Sequence, residues 1–177
     1  MSVTLPAGNQ VLKLVADSAG YNLNYIAFTT AGGLVNRATG GTASASSNPI
    51  AGETAPNAFD GNVNTKWLGN VGTGTVKAWL QYQFAGTASY AVKQYTVTSA
   101  NDAPGRDPKN WNFQGSTNGT SWVTLNTQTN QSFGGRFVTN TYSITNTTAY
   151  RYYRLSITAT NGSTDFTQIA EMQLLSQ

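Results

Sequence analysis

The chain has 177 residues, of which 39% are hydrophobic and only 10% charged, with a formal net charge of +3. That length suits one domain with a core and a fragment of a second, and a surface of Thr, Asn, Ser and Gly argues for a β-protein and against a helical bundle. There is no cysteine and no histidine, which excludes a disulfide framework, a thiolate nucleophile, a zinc–thiolate site and the commonest general acid–base group.

The Lys and Arg residues are scattered, so no basic run tracks a phosphate backbone and nucleic acid is not expected as a partner. No apolar run approaches the ~20 residues of a membrane span, so membrane insertion is not expected either. Met1-Ser2 leads directly into a strand-like segment without a signal-peptide pattern, as expected of a start placed on an excised piece. Val11, Leu12, Leu14 and Val15 form one apolar run, and Leu23 and Tyr25 alternate with polar neighbours after the Ser18-Ala19-Gly20 turn signal. Residues 1–35 are therefore expected to be a hairpin, an N-terminal extension or the remnant of a preceding β-sandwich, and residues 36–177 a separate domain.

Within that domain Thr42–Ser47 reads as a strand of small residues, followed by a loop to Pro56. Trp79–Phe84 alternates, with Leu80, Tyr82 and Phe84 on one face, and Tyr95 and Val97 continue the pattern after a Gly86 turn. Asn101–Gly105 marks a wide loop. Trp111 with Phe113, Trp122 with Leu125, Tyr142 with Ile144, and Tyr153, Leu155 and Ile157 give further half-buried strands, with Asn118-Gly119 as a hairpin signal. A last strand runs from about Gln168 to Leu175. Eight or more short strands without a 3.6-residue period predict an all-β, antiparallel β-sandwich.

Chemistry concentrates in Asn57–Trp67. Asp60, Asn62 and Thr65 crowd around Gly61, the oxygen-rich setting a hard cation such as calcium takes; the alternative is an Asx-turn followed by a buried tryptophan. The stretch lacks the carboxylates of an EF-hand. Phe133-Gly134-Gly135-Arg136-Phe137 reads either as an exposed loop that extends a binding groove or as a turn with one phenylalanine tucked in. An enzyme would need a carboxylate pair of the kind glycosidases use. Glu53, Asp102, Asp107 and Asp165 lie on loops that could share one end, but catalysis is the weaker reading.

The stretch Asn57–Trp67, followed by Trp79-Leu80-Gln81, Arg106-Asp107-Pro108, Gly115–Gly119, Trp122, Tyr152–Leu155 and a closing Ile169-Ala170-Glu171, resembles the discoidin or coagulation factor 5/8 type C domains. The family 32 carbohydrate-binding modules are their bacterial relatives. The resemblance covers about Gly40 to the C-terminus. It implies a jelly-roll sandwich with a structural calcium held by the carbonyls of Asn57 and Asn62, the Asp60 carboxylate, both oxygens of Thr65, the Ala170 carbonyl and the Glu171 carboxylate. It also implies a sugar site built from loops at one end, with Glu53, Asn70, Arg106 and Asn110 as hydrogen-bonding groups and Phe166 as platform. The four tryptophans match positions of core or strand-packing aromatics, with Trp67 the expected exception. The family often has a histidine after the loop tryptophan, where this chain has Leu68-Gly69-Asn70, so the usual galactose-type specificity is not implied. Leu5–Leu14 and Tyr21–Ile26 resemble the last strands of a family 6 carbohydrate-binding module.

The function these features imply is a non-catalytic carbohydrate-binding module. It would keep a secreted bacterial enzyme on its polysaccharide or glycan, with the catalytic domain in cis as its other partner. The alternative is a protein-contact or spacer domain without a working sugar site.

Overall fold

Alternation of apolar and polar residues builds this domain, and burial follows it. The computed structural model describes residues 33–47, 50–71 and 77–177; the strands expected before residue 33 lie outside the described residues. Leu34–Gln177 forms one unit. Eleven strands occur among the described residues: β1 (Val35–Asn36), β2 (Thr42–Ala45), β3 (Trp67–Asn70), β4 (Ala78–Gln83), β5 (Gln94–Thr98), β6 (Pro108–Ser116), β7 (Val123–Gln128), β8 (Thr139–Ser143), β9 (Tyr152–Thr160), β10 (Phe166–Ile169) and β11 (Glu171–Ser176). No α-helix is present among them, only short 3-10 helices at Ala55–Phe59 and Pro104–Arg106.

Every strand pair is antiparallel. One sheet has the order β2-β4-β9-β6-β7, a second β1-β11-β5-β8, and β3 pairs with β10 in a two-stranded ribbon. In β4 the residues Ala78, Leu80 and Tyr82 are buried while Trp79, Gln81 and Gln83 are partly exposed, the period-two pattern of a sheet packed on one face. The sheets meet through aromatic rings. Tyr95 of β5 stacks on Phe113 of β6 at 4.0 Å between centroids, and Phe113 stacks on Tyr153 of β9 at 5.5 Å; such pairs add about 0.5–1.5 kcal/mol each beyond area burial. The buried polar ends are partnered, as they must be: Trp111 Nε1 donates to Tyr95 Oη (3.0 Å), which donates to Asn126 Oδ1 (2.9 Å). Burial pushes the Tyr95 phenol well above its ordinary value, so the ring stays neutral.

The structure corrects the sequence reading in four places. The expected closing strand is two strands in different sheets, broken at Ala170, whose N–H donates to Thr98 O (3.0 Å). Asn70, expected on a loop of the sugar site, is the last residue of strand β3. Trp67, the expected solvent-facing exception, is fully buried, its indole N–H donating to Ser47 O (3.1 Å). Trp79 and Trp122 are instead partly exposed: the pleat turns Trp79 outward with Gln81, and Trp122 lies under the Arg154 guanidinium, 4.1 Å from its ring.

Candidate functional site

Two places carry chemistry. The first follows the 3-10 helix at Ala55–Phe59, where Gly61 takes φ +77°, a conformation in which a Cβ would be strained. The turn folds its oxygens inward. Asp60 accepts from the Asn62 N–H through Oδ1 (2.8 Å) and from the Thr65 hydroxyl through Oδ2 (2.7 Å). The same hydroxyl lies 2.7 Å from Asn62 O and 3.5 Å from Asn57 O. Because the chain changes sheets at Ala170, Glu171 begins β11 beside this loop and accepts the Gly61 N–H through Oε2 (3.2 Å).

Glu171 is buried, and burial raises its carboxyl to about 7, the nearby Asp60 charge adding to the effect. Among the described residues no ion pair engages Asp60 or Glu171. Two carboxylates, two carbonyls and a hydroxyl facing one another without a cationic side chain fit the donor chemistry of a hard cation. Of the residues expected to ligate, the structure thus brings together Asn57, Asp60, Asn62, Thr65 and Glu171, with Ala170 buried beside them.

The second place is the loop end of the ribbon β3–β10. Phe166 opens β10 opposite Asn70, the exposed last residue of β3. The Arg106 guanidinium stands 5.2 Å from the centre of the Phe166 ring, within cation–π range. Neither neighbouring carboxylate bonds Arg106. Asp102 accepts from Lys66 Nζ (2.7 Å), and this bond holds its carboxyl below the ordinary range. Asp107 is buried and takes both guanidinium nitrogens of Arg136, with Nη1 at 2.9 Å. Burial outweighs that pairing and leaves the Asp107 carboxyl raised.

Lys66 was not visible as a functional residue in the sequence. It is buried, and besides Asp102 it reaches Gln168 Oε1 (3.3 Å) and Glu53 Oε1 (3.6 Å). Gln168 Nε2 donates to the carbonyls of Asp102 (2.6 Å) and Ala103 (3.3 Å). This network holds the loop that carries Arg106, including Ala103 at the strained φ of +38°. Glu53 is therefore joined to the loop that carries Arg106 through Lys66 and Asp102, and not to Arg106 itself. Asn110 is not brought to the group: it sits on β6, where its Oδ1 accepts the Asn130 N–H (2.8 Å) and anchors another loop. A shallow cavity of about 280 Å³, lined by residues that include Val71, Lys77, Thr160 and Ser163, lies on the neighbouring surface.

The model of the F5/8 type C domain family matches residues 42–172. The chain belongs to this family. The chain also shares 34% identity over 180 residues with a peptide-N(4)-(N-acetyl-β-glucosaminyl)asparagine amidase of Arabidopsis thaliana, in a match covering 98% of this chain and 24% of that protein. The chain thus spans about a quarter of that relative's length. Among solved structures, the fold is similar to chitosan-binding module 1 of a Paenibacillus chitosanase/glucanase (TM-score 0.64, 23% identity, 81% of this chain and 99% of that one). It is also similar to a family 32 module of Clostridium perfringens in complex with galactose (TM-score 0.62, 20% identity, 81% and 98%). These likenesses establish the discoidin-like sandwich, structurally akin to bacterial family 32 modules.

Proposed function

We propose that this F5/8 type C domain is a non-catalytic glycan-binding module that holds a larger, secreted glycan-processing enzyme at its substrate. The observation that carries the reading is Arg106 set over Phe166, opposite the exposed Asn70, with both flanking carboxylates paired elsewhere. A sugar needs an aromatic face for its C–H surface and fixed donors for its hydroxyls, and this trio offers both. The four acidic residues weighed as catalytic candidates do not favour an enzyme: Glu53 and Asp102 share Lys66, and Asp107 is locked to Arg136. That leaves Asp165 without a second free acid beside it for acid–base work. The relatives bound to galactose or named for chitosan support the ligand class, and the amidase relative supports an enzyme as the host.

Asn57, Asp60, Asn62, Thr65, Ala170 and Glu171 would hold a structural calcium. The ion would neutralise two adjacent carboxylates and clip the first loop of the domain to its last strand. The test is a glycan and polysaccharide binding screen of wild type and Arg106→Ala, in calcium and again in chelator. Binding by the wild type that falls about tenfold or more in the variant, with an unchanged melting temperature, is the expected outcome. A wild type that binds no glycan would turn the reading to a spacer or protein-contact domain.

A further inference from the structure

The loop Phe133–Phe137 is not used by the site above, and its geometry is unusual. Among the described residues Phe137 is the most exposed phenylalanine, at 43%. It also has φ +59°, a conformation uncommon for any residue with a Cβ and rare for a bulky one. The surrounding structure enforces it. Buried Ser99 accepts the Phe137 N–H through its carbonyl (3.1 Å) and the Val138 N–H through Oγ (3.0 Å), while its hydroxyl donates to Gly135 O (3.0 Å). Phe133, at the other end of the loop, packs against the core. An apolar ring is thus held in water on a backbone that would relax if it could.

This loop is stitched to the sugar site. Arg136 binds Asp107 through both guanidinium nitrogens and donates from Nη1 to Asp102 O (2.9 Å). The same carbonyl accepts Gln168 Nε2 (2.6 Å), two residues along β10 from Phe166. Asn161 joins in, with its Nδ2 donating to Gln131 O (3.2 Å) and its N–H to Asp107 O (3.0 Å). The loop around 102–107 is therefore bonded on one side to Arg136, the neighbour of Phe137, and on the other to Gln168 of β10, the strand that Phe166 opens.

We propose that the glycan site continues from Arg106 and Phe166 across the 102–107 loop to Phe137, so that its ligand is an oligosaccharide chain engaging two separate aromatic faces rather than a single terminal sugar. This rests on the sugar-binding reading and extends it to chain length. A rigidly presented ring loses little freedom when a ligand stacks on it, which is the gain of preorganisation.

The test is calorimetric titration of wild type, Phe137→Gly and Phe166→Ala with two probe series: chitosan oligomers of one to six residues, and galactose against GalNAc-β-1,3-galactose. Glycine suits the φ of residue 137, so Phe137→Gly keeps or raises the melting temperature. In the series that binds, wild-type affinity rises about tenfold from the shortest to the longest member. Phe137→Gly abolishes that rise and leaves the monosaccharide affinity within about twofold, whereas Phe166→Ala weakens every member. Length dependence unchanged in Phe137→Gly overturns the inference while the sugar site stands. No binding of either series by the wild type removes the sugar-binding reading and this inference with it. Capture on phosphatidylserine vesicles that Phe137→Gly abolishes, with flat glycan length dependence, makes Phe137 a membrane contact and overturns the inference as well.

Discussion

Trp67 and Gly69 show how single side chains shape this end of the sandwich. Both lie on the same face of β3, and the indole fills the space where residue 69 would carry a Cβ: that atom would stand 2.3 Å from Trp67 Cζ2 and 2.8 Å from Cε2. The tryptophan can therefore be fully buried only beside a glycine. Gly69→Ala should force the indole or the strand aside and cost about 1–3 kcal/mol, read as a lower melting temperature. An alanine variant as stable as wild type would mean the ring has room to shift. The same packing explains why Trp67 is unavailable to a ligand at the surface. At this scale glycine and tryptophan were both legible in the sequence, but their overlap was not, since a spacing of two in a strand says which face is shared and nothing about how full it is.

At the level of elements, the ribbon β3–β10 and the loop 100–107 depend on one buried cation. Lys66 joins Glu53, Asp102 and Gln168, and Gln168 in turn holds the carbonyls of Asp102 and Ala103. Removing the ammonium leaves a strained Ala103 with less to hold it and lets Asp102 return toward its ordinary acidity. Asp102 is about half exposed, so water offsets part of the loss. Lys66→Met should cost about 1–2 kcal/mol. Its clearer sign should be faster hydrogen exchange at the amides of Ala103, Gly105 and Arg106 and, on the proposed function, weaker glycan binding, although Lys66 itself is buried. Exchange rates equal to wild type would show that the Pro104–Arg106 turn holds itself. The hydrogen-bond partners of Lys66, Asp102 and Gln168, lie 36 and 102 residues away in sequence, which is why a lysine beside Trp67 carried no visible signal.

For the whole molecule, the contact between Gly61 and Glu171 closes 110 residues of chain, and the metal question bears on global stability. The Glu171 carboxyl stands at about 7 in the folded domain against an ordinary value of 4.5. Between those values the folded state keeps a proton that the unfolded chain has released. The contribution of Glu171 to metal-free stability is therefore greatest below about pH 4.5 and is lost as pH rises to about 7. A cation binding the ionised pair should reverse the trend, with calcium at a hundredfold excess over its Kd adding about 2.7 kcal/mol. Thermal melts across pH in chelator and in calcium check this. Glu171→Gln should flatten the metal-free profile and remove the calcium response, and a pH slope that survives the substitution would assign it to another group. The sequence by itself determined the sandwich, because period-two alternation in segments such as Trp79–Phe84 and Tyr153–Ile157 is a local property of a pleated strand with one buried face. It also marked the oxygen-rich turn at Asp60–Thr65, whose members are neighbours in the chain. Only the tertiary structure decided that the closing segment breaks at Ala170 and changes sheets, that Asp107 belongs to Arg136 and Asp102 to Lys66, and that Arg106 is left for Phe166. Ion pairs are chosen by proximity after packing, and residues far apart in sequence carry no local pattern that says which charge will meet which.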